Sequence, residues 1–253
     1  MKVTQGGGPT ALTLRSLKGW LAQGWAIFWG NAAVSIAFIL PFVAVGMLAD
    51  FWLRGVGLWL IYFIFAAGFI LLLPVLLAAF YRVPQLIEHG IRPGYRDLVS
   101  AFFAHPGPVW VLGIVSGALF LVWVTDAVIV YSMYFEFEPV RGMLAENVFG
   151  DEGIRFFVIT GLLGFVISTI VYLVTVVAIP HMICAGAGLV DGIVFSARCV
   201  VGNLLVMTLW AMLLGTSILL VLLFALPLAL VLLPLLSYAN YACYQEMSQD
   251  CAR

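Results

Sequence analysis

Residues 203–244 run NLLVMTLWAMLLGTSILLVLLFALPLALVLLPLLSYANYACY, without one Asp, Glu, Lys, Arg or His. A water-soluble domain cannot leave so long a segment without charge, because its surface must be covered with polar groups. A bilayer protein must contain such segments, because lipid is the solvent for most of its outside. The stretch is too long for one crossing, since ~20 apolar helical residues span ~30 Å of hydrocarbon. Leu226-Pro227 is the expected break: proline lacks a backbone donor and clashes with the preceding turn. The alternative is a single kinked helix, which gives five spans instead of six and moves the C-terminus to the other side of the membrane.

Working outward, Val56 to Tyr81 is equally free of ionisable side chains. Over the 253 residues, 64% are hydrophobic and 9% charged, against roughly 25% charged in an ordinary soluble domain. The predicted spans are 31–49, 56–81, 109–130, 155–179, 203–224 and 226–244, forming one membrane domain over 1–253 with residues 1–12 disordered. The net charge of −1 provides no basic surface for nucleic acid. The basic N-terminal segment lacks a small-residue cleavage site behind its first apolar run, so a retained anchor is expected rather than a signal peptide. The four cysteines, Cys184, Cys199, Cys243 and Cys251, form no C-x-x-C pair and read as small hydrophobes.

Orientation follows from Lys and Arg in the loops. With a cytoplasmic N-terminus, the inner segments hold eight: Lys2, Arg15, Lys18, Arg82, Arg92, Arg96, Arg198 and Arg253. The outer loops hold three, Arg54, Arg141 and Arg155, and the 131–153 loop is acidic. Both termini are therefore expected in the cytoplasm. A short helix is expected over Pro139 to Val148 in that loop.

A pattern recurs three times. An amphipathic stretch ends in a helix-breaking dipeptide and two spans follow as a hairpin. The stretches are Leu14 to Trp29, ending at Gly30-Asn31; Tyr95 to His105, ending at Pro106-Gly107; and Val190 to Val201, ending at Gly202-Asn203. Pro74, Pro180 and Pro234 mark the second span of each hairpin. Such helices suit the headgroup layer, and Trp20, Trp25, Phe28 and Trp29 beside Lys18 and Gln23 suit that depth. The expected body is all-α: six transmembrane helices in three hairpins, each preceded by a short interfacial helix.

The order of several residues carries a resemblance. It rests on Trp20-Leu21, Gly24-Trp25, Phe28, Asn31 and Ser35 in the first repeat. After the second span come Gly68-Phe69, Pro74, Tyr81, Arg82, Glu88 and Gly90, and later Glu152-Gly153, Pro180, Ser196, Asn203, Trp210 and Pro234-Leu235-Leu236. With these the chain resembles an uncharacterised family of predicted bacterial integral membrane proteins, known only as a domain of unknown function. It departs from that pattern at Cys184-Ala185-Gly186-Ala187-Gly188, where the family favours acidic residues. The resemblance implies a multi-pass protein of the bacterial inner membrane and no established activity. Similar proteins sometimes carry the label of cytochrome c oxidase subunit I. A haem–copper centre needs several imidazoles within the spans, whereas this chain has only His89, His105 and His181.

Candidate functional residues are the polar groups that lipid makes costly. Asp126 is the only charged residue inside a well-defined span, near the outer end of the third. It is either a carboxylate at headgroup depth, facing water or bonded to Thr125, or an ion-handling group facing the interior. Thr169, Tyr172 and Thr175 share a face of the fourth span, as helix glue or as a polar path. Gly113-x-x-x-Gly117 and the Gly161/Gly164 pair permit close helix approach. The segment holding Arg82, Glu88, His89, Arg92 and Arg96, with Arg198 on the third amphipathic stretch, is a solvated connector favouring anionic lipid or a docking surface. No G-x-S-x-G, Walker A, H-E-x-x-H or Ser-x-x-Lys occurs, and Glu88-His89 alone makes no metal site.

These features point to a non-catalytic protein without cofactor or metal, held in the bilayer beside other membrane subunits. The second possibility is a small-solute or lipid transporter with a cavity between the hairpins.

Overall fold

The structure is a computed structural model, and it describes residues 12–55, 73–134 and 150–251. The predicted span 56–81 therefore lies outside the described residues up to position 72. So do the expected helix at 139–148 and most of the segment expected to be disordered.

Every regular element among the described residues is helical. In chain order these are α1 (Leu14–Gly30), α2 (Ala32–Gly55), α3 (Leu73–Leu77), a 3₁₀ turn (Ala78–Tyr81), α4 (Arg82–Glu88), α5 (Tyr95–Phe103) and α6 (Gly107–Tyr134). There follow α7 (Asp151–Thr175), α8 (Ala178–Ala185), α9 (Leu189–Gly202), α10 (Leu204–Phe224), a second 3₁₀ turn (Leu226–Leu228) and α11 (Ala229–Cys251). Among the described residues, five stretches are long and apolar enough to cross a membrane: Ala32–Leu53, Gly107–Tyr134, Asp151–Ala185, Leu204–Val221 and Leu226–Ser248. The long apolar stretch does divide at Pro227, which sits at the start of the second 3₁₀ turn.

The amphipathic stretches form α1, α5 and α9, each directly before a long apolar helix. Two of the three corners are built alike. At Asn31 the side-chain amide donates to the Ile27 carbonyl at 3.0 Å, and at Asn203 it donates to the Cys199 carbonyl at 3.3 Å. In each case the asparagine occupies a capping role that closes one helix and opens the next. At the second corner Pro106 takes this place, and its carbonyl accepts the Val109 N–H at 2.9 Å.

The first amphipathic helix does not spend its apolar stripe on lipid. Leu17, Trp20, Gly24 and Phe28 are buried along one face of α1, and this face meets α11. Ser16 and Trp20 reach Glu246, while Gly24 lies against Leu235 and Ala239, so the two helices run antiparallel. A Cβ on Gly24 would stand 2.7 Å from the Leu235 carbonyl oxygen, closer than real contacts permit. Trp25 and Trp29 stay outside as an edge-to-face pair at 5.6 Å.

The centre of the molecule is α11. Residues 233–244 are buried throughout, and they enter three separate apolar clusters. Tyr238 packs with Phe28, Phe38 and Phe80; Cys243 and Met247 pack with Trp20 and Trp210; Tyr241 packs with Tyr81, Ile179 and Met182. The α6–α7 hairpin has its own small cluster of Trp123, Ala127, Val130 and Phe156. Trp123 lies on the bare backbone of Gly164, and its indole N–H donates to the Thr160 carbonyl at 3.2 Å.

Candidate functional site

The fourth apolar stretch is not one continuous helix to residue 179. It breaks after Thr175, and the cause is Pro180. A proline ring displaces the carbonyl four residues back and offers it no donor; here that carbonyl belongs to Val176. The amide of Asn240 on α11 donates to it at 2.9 Å. On the far side, Ser196 of α9 stitches the break, accepting the Val177 N–H at 3.3 Å and donating to the Leu173 carbonyl at 2.8 Å.

A second loosened backbone faces the same helix. Where α3 tightens into the 3₁₀ turn, the Leu77 carbonyl accepts the Ser237 hydroxyl at 2.9 Å. The other Asn240 amide hydrogen goes to the Tyr81 hydroxyl at 2.9 Å, and its carbonyl oxygen accepts the Trp210 indole N–H at 3.2 Å. One buried asparagine thus joins the ends of two interrupted helices to α10. Unpaired backbone groups are costly away from water, so Ser237 and Asn240 are what allow both interruptions.

From this centre a line of rings runs to one end of the bundle. Tyr81 and Tyr241 lie 5.9 Å apart between centroids, Tyr241 and Tyr244 6.4 Å, and Tyr244 and His181 6.0 Å. His181 stacks on Phe195 at 4.2 Å. There the carboxylate of Glu88 accepts from Gln245 and, at 3.5 Å, from Tyr241. Gln85 donates to the exposed thiol of Cys184 at 3.2 Å. Around the same end of α11, Glu246 accepts from Ser16 at 2.8 Å and Trp20 at 2.6 Å. The first and last described helices are thus clasped together there, with α4 and α8 beside them.

The residues singled out from sequence fall in different places. Glu88 belongs to this polar end. Arg82 and Arg198 are exposed on α4 and α9. Tyr172 crosses to α10, donating to the Met207 carbonyl at 2.8 Å. Thr169 and Thr175 bond back to their own helix, at Phe165 and Val171, and Thr169 is exposed while Thr175 is buried. The three therefore line no common path. Asp126 is half-buried on α6, and Thr125 turns away from it to the Leu121 carbonyl at 2.9 Å. Cys199 and Cys243 are buried among apolar side chains. Gly164 serves close packing, whereas a Cβ on Gly161 would meet nothing within 4 Å.

The sequence does carry a signal for the buried centre. In Ser237-Tyr238-Ala239-Asn240-Tyr241-Ala242-Cys243-Tyr244, polar groups recur at helical spacing inside an apolar run. Polar side chains within a span turn toward protein, so this pattern marks the inward face of α11.

Residues 61–183 match the model of a family described as "Predicted integral membrane protein (DUF2189)". This is the uncharacterised membrane family that the sequence resembles. No curated protein and no solved structure matches the chain.

Proposed function

We propose that this multi-pass integral membrane protein is a non-catalytic accessory or scaffold subunit of a larger complex in the bacterial inner membrane, with both termini in the cytoplasm. The observation that carries this reading is the saturation of its polar centre. Asn240 uses its carbonyl oxygen and both amide hydrogens on Trp210, Tyr81 and Val176. A substrate or ion site needs groups with bonding capacity in reserve, and a network satisfied in this way instead fixes one arrangement of helices. The polar end beside the α1–α11 clasp, with Glu88 and Cys184 exposed, and the exposed Arg82 and Arg198 on α4 and α9 offer side chains to a neighbouring subunit.

The second reading, a small-solute or lipid transporter, is favoured by the two interrupted backbones, since transporters build their sites at such breaks. One set of measurements separates the two. A photoreactive residue placed at Arg82 or Arg198 is expected to crosslink a single membrane subunit in native membranes. The same residue at Ile114, exposed on α6, is expected to capture lipid. The chain is expected to migrate with that subunit on a native gel in mild detergent. Migration alone, together with a Thr175→Cys thiol that reacts with a water-soluble maleimide, would overturn the assembly reading in favour of transport.

A further inference from the structure

An apolar groove of about 270 Å³ opens where α5 gives way to α6, lined by Val75, Leu76, Phe102, Trp110, Gly113 and Ile114. Phe102 and Trp110 meet edge to face at 5.8 Å, which fixes two of its walls against each other. An added Cβ on Gly113 would stand 3.4 Å from Val75, in ordinary contact, and a larger side chain there would enter the groove. Trp110 and Ile114 are 39% and 72% exposed, so the groove faces the surroundings of the bundle. Trp110 stands just past the Pro106 corner, where an amphipathic helix meets a span and interfacial aromatics are expected. Gly113 and Ile114 lie one turn farther into the apolar helix.

The segment that leads to this groove carries its charges unequally. Its two carboxylates serve the fold: Asp97 accepts the Gly94 N–H at 2.8 Å, and Glu88 accepts from Gln245 and Tyr241. Its three cations, Arg82, Arg92 and Arg96, are exposed, and no ion pair joins them to a carboxylate among the described residues. The charge offered outward is therefore positive. Arg96 lies six residues before Phe102 on α5, about 9 Å along the axis. The exposed Tyr95 lies two turns before Phe102 on the same face.

We propose that this corner binds an anionic phospholipid, with one acyl chain in the groove and the phosphate on the Arg96 guanidinium and the Tyr95 hydroxyl. The volume falls just short of the ligand-pocket range, about 300 Å³ upward, so it receives one chain and leaves the headgroup outside. A neutral lipid fills the groove but gains nothing from the free arginines. A free phosphate pairs with Arg96 but leaves the groove to bulk lipid. Only a molecule with both parts uses both features, and its attraction to each arginine is a factor of about five. The site is independent of any assembly with other subunits.

The test uses the full-length chain in phosphatidylcholine nanodiscs with a trace of photoreactive lipid, a diazirine on one acyl chain under either a phosphatidylglycerol or a phosphatidylcholine headgroup. Crosslinks are mapped by mass spectrometry. The phosphatidylglycerol probe is expected to label residues 110–114 above the exposed Leu121 and Met133 of the same helix, and about fivefold more than the phosphatidylcholine probe does. Arg96→Gln, at an exposed position that the fold does not use, is expected to remove that preference. Gly113→Leu is expected to remove labelling at 110–114 from both probes and to leave Leu121 and Met133 as they were. Should Gly113→Leu fail to fold, the Arg96→Gln comparison decides. Equal labelling by the two headgroups, labelling spread evenly along α6, or a preference that survives Arg96→Gln would each overturn the proposal.

Discussion

Helices α6 and α11 are both long and apolar enough to cross a bilayer, yet they occupy opposite environments. In α6, 22% of the apolar stretch is buried; in α11 the share is 67%. The outside of α6 is a run of bare aliphatics, with Ile114, Leu121 and Met133 all more than half exposed. The inside of α11 carries Ser237, Tyr238, Asn240, Tyr241 and Tyr244. Lipid tails are as apolar as leucine, so burying leucine against another helix gains little over leaving it in lipid. What the interior supplies and lipid cannot is hydrogen-bond partners. The least apolar of the five stretches is therefore the central one.

The strongest way to break this contrast is Asn240→Leu, which keeps the size and removes every polar contact. The Val176 carbonyl and the Trp210 indole N–H would then be buried without partners. At about 1–3 kcal/mol for each orphaned group, the loss is roughly 3 kcal/mol. The expected outcome is a large fall in the unfolding temperature in mild detergent, with helix content retained below it. An unchanged midpoint would mean that α11 is central by packing alone.

Much of the architecture was legible in the sequence because lipid imposes it directly. The absence of charge over 203–244 marks the membrane, Pro227 marks the division of that run, and Gly30-Asn31 and Gly202-Asn203 mark the corners where amphipathic helices end. The break at Thr175 was less visible. A proline inside an apolar span tells that a carbonyl is freed, but not whether the helix bends or stops; that depends on a donor from elsewhere, here Asn240, distant in sequence. The candidate site suffered from a related limit. Rarity drew attention to Asp126 and Thr169, but rarity does not tell which way a side chain faces. Thr169 and Thr175 satisfy themselves on their own helix. The groups that bridge helices, Ser196, Ser237, Asn240 and Glu246, looked ordinary until partners 19 to 230 positions away in the chain met them.

The clasp of α1 on α11 sharpens the comparison at the level of backbone approach. Gly24→Ala places a methyl group 2.7 Å from the Leu235 oxygen and 2.9 Å from the Ala239 nitrogen, both backbone atoms that cannot rotate away. Overpacking of this kind costs about 1–3 kcal/mol. Gly161→Ala, on the outward side of α7 with nothing within 4 Å, is expected to be neutral or to stabilise by about 0.5–1 kcal/mol through helix propensity. Opposite shifts in detergent-resistant folded fraction for two identical substitutions would locate tight packing at α11. Equal losses would contradict it.

The smallest test compares two hydroxyls. Ser237 on α11 bridges to another helix, donating to Leu77 at 2.9 Å from a buried position. Thr169 on α7 is exposed and donates within its own helix, to Phe165 at 2.8 Å. Removing the first leaves the Leu77 carbonyl short of a partner and is expected to cost about 1 kcal/mol. Removing the second leaves a carbonyl that its own helical N–H still serves, so Thr169→Ala is expected within about 0.5 kcal/mol of the parent. Both substitutions delete one hydroxyl from an apolar span, so hydropathy treats them alike and only facing separates them. Thermal midpoints of the two single variants, measured in the same detergent, decide whether direction or mere presence of a polar group sets its worth in this bundle.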